Sequence, residues 1–236
     1  MHYILRNNKT YVKLRFLGKS SGGFAAKFTN DAIAHKNMQV LRKAFGNSNS
    51  TLMLAQGKAL VSTVTSGSAS IKCDALITTQ SDHNLIMRPA DCPPIIILSD
   101  SPKTLALVHG SRTSLDGGVL SNAMQHLILL GVNPSNCRVY IGPGIASSSY
   151  TLPSSIMDEL TDIAWRKHSI ISGETIALDL AGYIYDQLLA LGVQANHITK
   201  SRINTAVNNK YYSHYRATRF GKTNGRNGFA CALFNE

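Results

Sequence analysis

The sequence has no long apolar run and few cysteines, and these shortages exclude several classes of protein. No stretch approaches the roughly 18 consecutive apolar residues that a membrane-spanning helix needs, and the polar start MHYILRNNKT lacks the apolar core of a secretory signal. The four cysteines include no Cys-x-x-Cys pair and are too few for a disulfide-stapled fold of 236 residues. We therefore expect a cytoplasmic protein with free thiols and no membrane partner.

Acidic residues are also scarce, with 13 Asp plus Glu against 24 Lys plus Arg, for a formal net charge of +11. This excess favours anionic ligands, although a solvated basic surface gives the same count. The basic residues are spread along the chain, with one denser segment at residues 210–228 that also contains tyrosines. Stacking on nucleic-acid bases would explain that segment, but two strands joined by a Gly-Lys-Thr-Asn-Gly turn explain it more simply. The charge thus leaves nucleic acid, phosphate and a phosphorylated metabolite as possible ligands, and the simpler explanation of this segment makes nucleic acid unlikely.

The remaining composition is that of a globular protein. Hydrophobic residues make up 44% of the chain and charged residues 16%, and the length allows a sizeable core. Strand-like and helix-like segments are mixed along the chain, with no repeat, low-complexity region or linker between them. We therefore predict a single α+β domain over residues 1–236, built of mixed β-sheets with flanking helices.

Two neighbouring apolar runs place a cysteine beside a histidine. IIIL (residues 95–98) and LALV (residues 105–108) have the length and composition of buried strands, and polar residues with Pro102 separate them. If a short antiparallel turn joins them, the start of the first strand lies near the end of the second. Cys92 precedes the first run and His109 follows the second, so the two should be neighbours. A thiol beside an imidazole is either half of a metal site or a nucleophile with its base.

Local patterns predict the other elements. Alternation predicts a hairpin at residues 3–16, and Gly57 interrupts a strand at residues 51–64. Capping residues and apolar periodicity predict helices over residues 31–45, 114–131, 154–169 and 179–193, and the chain ends in a strand with the sequence GFACALF.

Four motifs, PADCPPIIIL, LALVHG, DGGVL and IGPGI, follow one another along residues 89–145. With DALIT before them and YYSHYR and NGR after them, the chain resembles the laccase-domain family, also called polyphenol oxidases. Its members include bacterial purine nucleoside phosphorylases with adenosine deaminase activity. The resemblance implies the fold of that family, a purine nucleoside and phosphate as ligands, phosphorylase activity with possible deaminase activity, and a bound zinc or copper ion.

The resemblance also implies a metal site with an altered ligand. Cys92 and His109 match two of the family's three metal ligands, whereas Gln56, in LAQG, stands where the third ligand, a histidine, belongs. An amide oxygen is a poorer zinc ligand than imidazole, so the metal site is expected to be weaker or absent. His83 is the nearest candidate for a substitute ligand.

The other expected site residues follow from the same resemblance and from the positions of charged residues near strand ends. Asp91 joins Cys92 and His109 as a catalytic candidate, and Asp74 is expected to orient the His109 ring or to bind a ribose. The candidates for phosphate binding are Arg112, Lys19, Arg216 and the loop 142–149, which begins at Gly142 and whose backbone N–H groups suit an anion.

Two other interpretations fit the same residues. Without a metal, Cys92 and His109 would form the thiolate and imidazolium of a cysteine hydrolase. Alternatively, the chain is a catalytically inactive member of the family that only binds a ligand. The sequence leaves the oligomeric state open.

Overall fold

The computed structural model describes residues 2–235, which form two six-stranded sheets, one three-stranded sheet and flanking helices. The strands in chain order are β1 (His2–Arg6), β2 (Thr10–Leu17), β3 (Asn49–Leu54), β4 (Val61–Val64), β5 (Ala69–Lys72), β6 (Ala75–Thr78), β7 (His83–Met87), β8 (Pro94–Asp100), β9 (Lys103–His109), β10 (Arg138–Ile141), β11 (Thr151–Pro153), β12 (Ser169–Ser172), β13 (Thr175–Leu178), β14 (Ile198–Lys200) and β15 (Gly228–Asn235). The α-helices are α1 (Asp31–Arg42), α2 (Arg112–Asp116), α3 (Val119–Leu129), α4 (Ile156–Glu159), α5 (Leu180–Ala190) and α6 (His214–Phe220). Short 3₁₀ turns lie at Lys19–Ser21, Ala26–Phe28, Ala44–Gly46, Pro134–Asn136, Ile163–His168 and Ala195–His197.

The sheets combine parallel and antiparallel pairs. The first sheet has the strand order β1-β2-β15-β7-β3-β5, and the second has the order β14-β10-β8-β9-β6-β4. The third and smallest sheet has the order β11-β13-β12. This architecture confirms the predicted α+β fold of mixed sheets with flanking helices.

The two large sheets pack face to face, with helices on their outer faces. Side chains from both sheets, such as Met87 and Phe229 from the first and Ile96 and Leu107 from the second, share one buried cluster. The other face of the second sheet packs against α2, α3 and α5, and α1 covers part of the outer face of the first sheet. Because both faces of the second sheet are buried, its central strands are apolar at nearly every position.

The pairing of β8 with β9 confirms the predicted antiparallel strands. Ile95 and Ile97 face the helices whereas Ile96 and Leu98 face the first sheet, as the two-residue period of a strand requires. The register places Pro94 opposite His109. Cys92, two residues before Pro94, is therefore held beside the end of β9.

Several predicted elements differ from the structure. The helix expected over residues 114–131 is two helices, α2 and α3, because Gly118 adopts a left-handed conformation (φ 81°) between them. The helix expected over residues 154–169 is replaced by the single turn of α4 and a 3₁₀ segment, separated by extended backbone at Leu160. Residues 51–64 contribute to two strands, β3 and β4, which lie in different sheets.

The basic segment at residues 210–228 also differs from its prediction as a strand pair. It contains α6, which begins after Ser213, and the side chain of Ser213 caps the helix by accepting a hydrogen bond from the Arg216 N–H.

Within residues 2–235 no helix is long and apolar enough to cross a bilayer.

Candidate functional site

A cavity of about 600 Å³ lies where strand ends from the two large sheets meet. Its apolar wall includes Met53 from β3 and Met87 at the end of β7. Cys92 and His109 line the same cavity, and Lys27, Phe28, Arg88, His214 and Arg226 also contribute to its lining. No Asp or Glu of the described residues lines it. The cavity is therefore basic and suits an anionic ligand.

His109 lies between Cys92 and a buried carboxylate. Its Nδ1 is 3.4 Å from Oδ1 of Asp74, whose side chain is fully buried, whereas the His109 side chain is 15% exposed. Ser114 donates a hydrogen bond of 3.1 Å from its Oγ to the same carboxylate oxygen. Burial alone would lower the pKa of His109, but the neighbouring Cys92 and the hydrogen bond with Asp74 raise it to about 9. At neutral pH the imidazole is consequently protonated.

The Asp74 carboxylate is held by the loop that follows β3. The backbone N–H groups of Gln56 and Gly57 donate to its Oδ1 at 3.0 and 2.9 Å, and that of Lys58 donates to its Oδ2 at 2.9 Å. Burial would raise the pKa of Asp74, but these bonds and the one with His109 outweigh burial and hold the pKa far below its usual range. The carboxylate therefore stays ionised beside Nδ1 of the His109 ring.

Gln56 does not complete a metal site with Cys92 and His109. Its side-chain Nε2 donates to the carbonyl oxygens of Leu54 and Ala55 at 2.7 and 3.2 Å, so the amide is bonded to its own loop. Throughout residues 2–235 no three His, Cys, Asp or Glu side chains are grouped so that they could hold a metal ion. A resident zinc or copper ion requires at least one more strong ligand than the thiol and imidazole found here. The residues present do not fit such an ion.

His83, the expected substitute ligand, lies away from the cavity. It is buried at the start of β7, and its Nε2 is 2.8 Å from the Thr51 hydroxyl. Met87, at the other end of the same strand, lines the cavity. Met87 lies four positions further along the strand than His83, or roughly 13 Å at 3.3 Å per residue. The structure does not bring His83 together with Cys92 and His109.

Asp91 adjoins Cys92 but is bonded to other parts of the chain. It accepts hydrogen bonds from the hydroxyls of Thr205 and Ser213 at 2.7 and 2.9 Å and from the Tyr215 N–H at 2.7 Å. Its backbone has a φ of 81°, in the left-handed region that non-glycine residues seldom adopt. Asp91 thus fixes the backbone immediately before Cys92, and it is not among the residues that line the cavity.

The four expected phosphate-binding candidates also lie outside the cavity lining. Arg216 is bonded to protein: its Nη1 donates to the Ala206 carbonyl at 3.3 Å and its Nη2 to the Tyr211 carbonyl at 2.6 Å. Gly142 packs so closely on Pro94 that an added Cβ would lie 2.7 Å from the proline ring. Lys19 lies over the Tyr212 ring, with its Nζ 5.9 Å from the ring centroid.

Arg112 is placed differently from the other three candidates, since its Nη1 is buried without a hydrogen-bond partner in the described residues. The basic residues that do line the cavity, Lys27, Arg88 and Arg226, were not expected from the sequence. The sequence did contain a signal for two of them, because Arg88 precedes the PADC motif and Arg226 ends the NGR motif.

The comparisons with known proteins agree with this fold. Residues 23–230 match the sequence model of the family described as multi-copper polyphenol oxidoreductase laccase, and the chain belongs to that family. Its fold is similar to the crystal structure of the Bacillus licheniformis hypothetical protein YfiH, with a TM-score of 0.81 over 94% of this chain and 92% of that one at 16% identity. It is also similar to the crystal structure of YlmD from Geobacillus stearothermophilus, with a TM-score of 0.78 over 94% and 91% of the two chains at 23% identity.

Sequence relatives carry the name purine nucleoside phosphorylase. One is ORF3 of Streptomyces griseus, which is 30% identical over 124 residues, or 52% of this chain and 50% of the relative. Another is YlmD of Geobacillus stearothermophilus, 31% identical over 156 residues, or 61% of this chain and 54% of the relative. The chain thus spans about half the length of the curated relatives it matches.

Proposed function

We propose that this chain is a purine nucleoside phosphorylase whose reaction takes place in the cavity beside Cys92 and His109. One observation carries the proposal: a protonated imidazole, fixed by Asp74, faces a basic cavity that no described carboxylate lines. Its volume of about 600 Å³ suits a nucleoside together with phosphate. The names of the sequence relatives support the same activity.

The proposed reaction has two chemical demands. An oxygen of inorganic phosphate bonds to C1′ of the ribose while the C1′–N9 bond breaks, and the electron pair of that bond leaves with the purine. The phosphate must be held close to C1′, and a proton must reach the departing base. The products are the free purine and ribose 1-phosphate.

His109 is suited to supply that proton. Since its Nδ1 faces Asp74, the other ring nitrogen is left for Cys92 and the cavity. Cys92 and the Asp74 carboxylate together raise the pKa of His109 to about 9, so the imidazole has a proton to donate at neutral pH. Cys92 then acts by maintaining the charge of His109, and the basic lining of the cavity holds the phosphate.

Adenosine deamination makes a different demand on the site. It replaces the amino group at C6 of the purine with oxygen from water, and a metal-held hydroxide is the usual nucleophile in zinc deaminases. Because the donor set of Cys92, His109 and Gln56 does not fit a zinc or copper ion, we do not extend the proposal to deamination, and no step of the phosphorylase reaction is assigned to a metal.

The test is the release of hypoxanthine from inosine, measured by chromatography with and without inorganic phosphate after dialysis against EDTA. We expect phosphate-dependent release that survives the dialysis, and a loss of about 100-fold or more in His109→Gln. The matched control is His126→Gln, since His126 is exposed on α3. Absence of release, or release that does not depend on phosphate, would contradict the proposal.

A second candidate function is a metal-independent cysteine hydrolase that acts on an amide. The observation that favours it is the order of Cys92, His109 and Asp74, the arrangement in which a thiol is activated by a histidine that a carboxylate orients. Cys92 is the half-buried cysteine, whereas Cys73, Cys137 and Cys231 are buried. Burial raises the pKa of Cys73 to about 11 and that of Cys137 to about 12.

Labelling of the folded protein with iodoacetamide tests this second function. We expect modification at Cys92 alone, and the hydrolase function further requires a thioester adduct of an amide substrate on that sulfur, detectable by mass spectrometry. Two results together would show that the hydrolase function is wrong. In the wild-type chain Cys92 is alkylated but forms no substrate adduct, and the Cys92→Ala variant still carries out phosphorolysis.

A further inference from the structure

We infer that Arg88 and Arg226 form a subsite for a phosphoryl dianion at the cavity wall. The inference rests on the proposed function for the role of this anion in the reaction, but the subsite itself is a property of the two arginines and their surroundings. The dianion is either inorganic phosphate or the phosphoryl group of a phosphorylated substrate, and the two share the same tetrahedral oxygen geometry.

The first observation is that the chain brings the two arginines side by side. Arg88 follows β7 directly, and Arg226 shortly precedes β15, which pairs with β7 in antiparallel fashion. The pairing continues beyond the strands, because the Asn227 N–H donates to the Pro89 carbonyl at 2.9 Å. In the continued register Arg88 lies opposite Gly228, two residues from Arg226, and such diagonal neighbours in an antiparallel ladder lie on the same face roughly 7–8 Å apart.

The second observation is that each guanidinium is oriented by a backbone carbonyl. Nη1 of Arg88 donates to the Phe24 carbonyl at 3.3 Å, and Nη1 of Arg226 donates to the Gly225 carbonyl at 2.9 Å. The Arg226 guanidinium also lies over the Phe28 ring, 4.5 Å from its centroid. Within residues 2–235 each of the two arginines uses only its Nη1 in these hydrogen bonds. Nη1 of Arg226 also donates to the side chain of Asn224. The other N–H donors remain for a ligand.

The third observation concerns charge. Neither arginine forms an ion pair with a carboxylate of the described residues. Burial and the charge of Arg226 lower the pKa of Arg88. Burial also lowers the pKa of Arg226, although the charges of Cys92 and Asp91 oppose that shift. Two neighbouring half-buried cations without such a partner are stabilised when a dianion binds between them.

The chemistry of the donors selects a phosphoryl group. Each guanidinium presents N–H donors in a planar fork that matches two oxygens of a phosphate, and two forks can engage three oxygens of a tetrahedral anion together. Lys27 lines the same cavity and adds a further positive charge. The Arg216 guanidinium, one of the candidates that the sequence offered for this role, has both terminal nitrogens bonded to backbone carbonyls.

The test measures binding without turnover. Isothermal titration calorimetry is carried out with inorganic phosphate alone and with inosine 5′-monophosphate alone, on the wild-type chain and on Arg88→Gln and Arg226→Gln. We expect each substitution to weaken binding of the dianion by about 10-fold or more, since each removes charge-assisted hydrogen bonds. The charge-matched control is Arg202→Gln, because Arg202 is exposed and lies outside the cavity. This variant should bind the dianion with the affinity of the wild-type chain.

The two sources of the dianion give different results. If inorganic phosphate is the ligand, both variants raise the KM for phosphate more than the KM for inosine. If a phosphorylated substrate is the ligand, the wild-type chain binds inosine 5′-monophosphate more tightly than inosine, and both variants lose that preference. Arg88→Lys and Arg226→Lys keep the charge without the fork, and we expect an intermediate loss of affinity in these variants.

Failure of the subsite is distinguishable from failure of the proposed function. Phosphate binding that depends on both arginines, without release of hypoxanthine, would retain the subsite and reject the phosphorylase function. Phosphate-dependent release with an unchanged KM for phosphate in folded Arg88→Gln and Arg226→Gln would reject the subsite. A wild-type chain that binds neither phosphate nor inosine 5′-monophosphate would also reject it.

Discussion

Substitution of Asp74 by Asn tests how the cavity holds His109. Asn is nearly the same shape as Asp, but it carries no charge and has one acceptor oxygen instead of two. If the amide oxygen takes the place of Oδ1, it can still accept from Gln56 and Gly57, whose N–H groups lie at 3.0 and 2.9 Å. The amide NH₂ then faces the Lys58 N–H, which donates to Oδ2 at 2.9 Å in the native protein. Two N–H donors, the Asn amide and the Lys58 backbone, would then face each other with no acceptor between them.

The size of the effect follows from these contacts. A buried donor left without a partner costs about 1–3 kcal/mol, and loss of the charge weakens the remaining bonds by about 1 kcal/mol in total. We therefore expect Asp74→Asn to lower the free energy of unfolding by about 2–4 kcal/mol. At about 2–4 °C per kcal/mol for a chain of this size, Tm should fall by about 4–16 °C.

The same substitution should change the protonation of His109. Without the carboxylate at Nδ1, the pKa of His109 should fall from about 9 toward its ordinary value of 6.5. Guanidinium denaturation measures the stability, and NMR titration of the imidazole measures the pKa. The control is Asp158→Asn, which makes the same chemical change at an exposed position on α4. A folded Asp74→Asn with native stability and an unchanged His109 titration would refute the role given to Asp74.

Three further predictions concern the same site. The pKa of His109 is raised in the folded state from 6.5 to about 9, so the stability that protonated His109 contributes should be complete below about pH 6.5 and lost as pH rises through about 9. Denaturation of the wild-type chain and of His109→Gln across this pH range measures that contribution. A stability difference between the two chains that does not change with pH would contradict the prediction. Gln56→His should create a third ligand and bind about one zinc per chain in equilibrium dialysis, in contrast to the wild-type chain, whereas equal zinc uptake by both would show that the donor set was misjudged. Asp91→Asn should keep the left-handed backbone but lose one or more of three hydrogen bonds, lowering the free energy of unfolding by about 1–3 kcal/mol in urea denaturation; native stability would count against its role in fixing the backbone before Cys92.

The parts of the fold that were predictable from the sequence are those whose local pattern agrees with their environment. The β8 and β9 strands are buried on both faces, so their apolar runs identify them directly. The hairpin of β1 and β2 was predicted from its alternation, and the paired strands confirm it. The start of α1 was predicted from its cap, and the Asn30 side chain does accept a hydrogen bond from the Ala32 N–H.

Other elements depended on contacts that a local pattern does not contain. On α1 the buried residues are Ala34, Asn37 and Leu41, whereas the apolar side chains of Ile33 and Val40 are exposed, so apolarity alone does not identify the buried face. The basic segment 210–228 has the aromatic content of strands, but α6 forms within it. Its first residues are anchored by Asp91, which lies more than one hundred positions away in the chain.

The candidate site shows the same division. The proximity of Cys92 and His109 follows from one short turn between adjacent strands, and the structure places them together. The cavity also depends on the pairing of β7 with β15, which joins residues near 88 to residues near 226. Such long-range pairing cannot be inferred from spacing along the chain. For that reason the phosphate-binding candidates named from the sequence lie outside the lining of this cavity.

The most direct measurement of the proposed activity is phosphorus NMR of the purified, EDTA-dialysed chain incubated with inosine and inorganic phosphate. We expect the inorganic phosphate signal to decrease as a ribose 1-phosphate signal grows, in proportion to the hypoxanthine released. This conversion should be lost in His109→Gln and retained in His126→Gln. If hypoxanthine accumulates with free ribose while the phosphate signal stays constant, or if no product forms, this chain is not a phosphorylase.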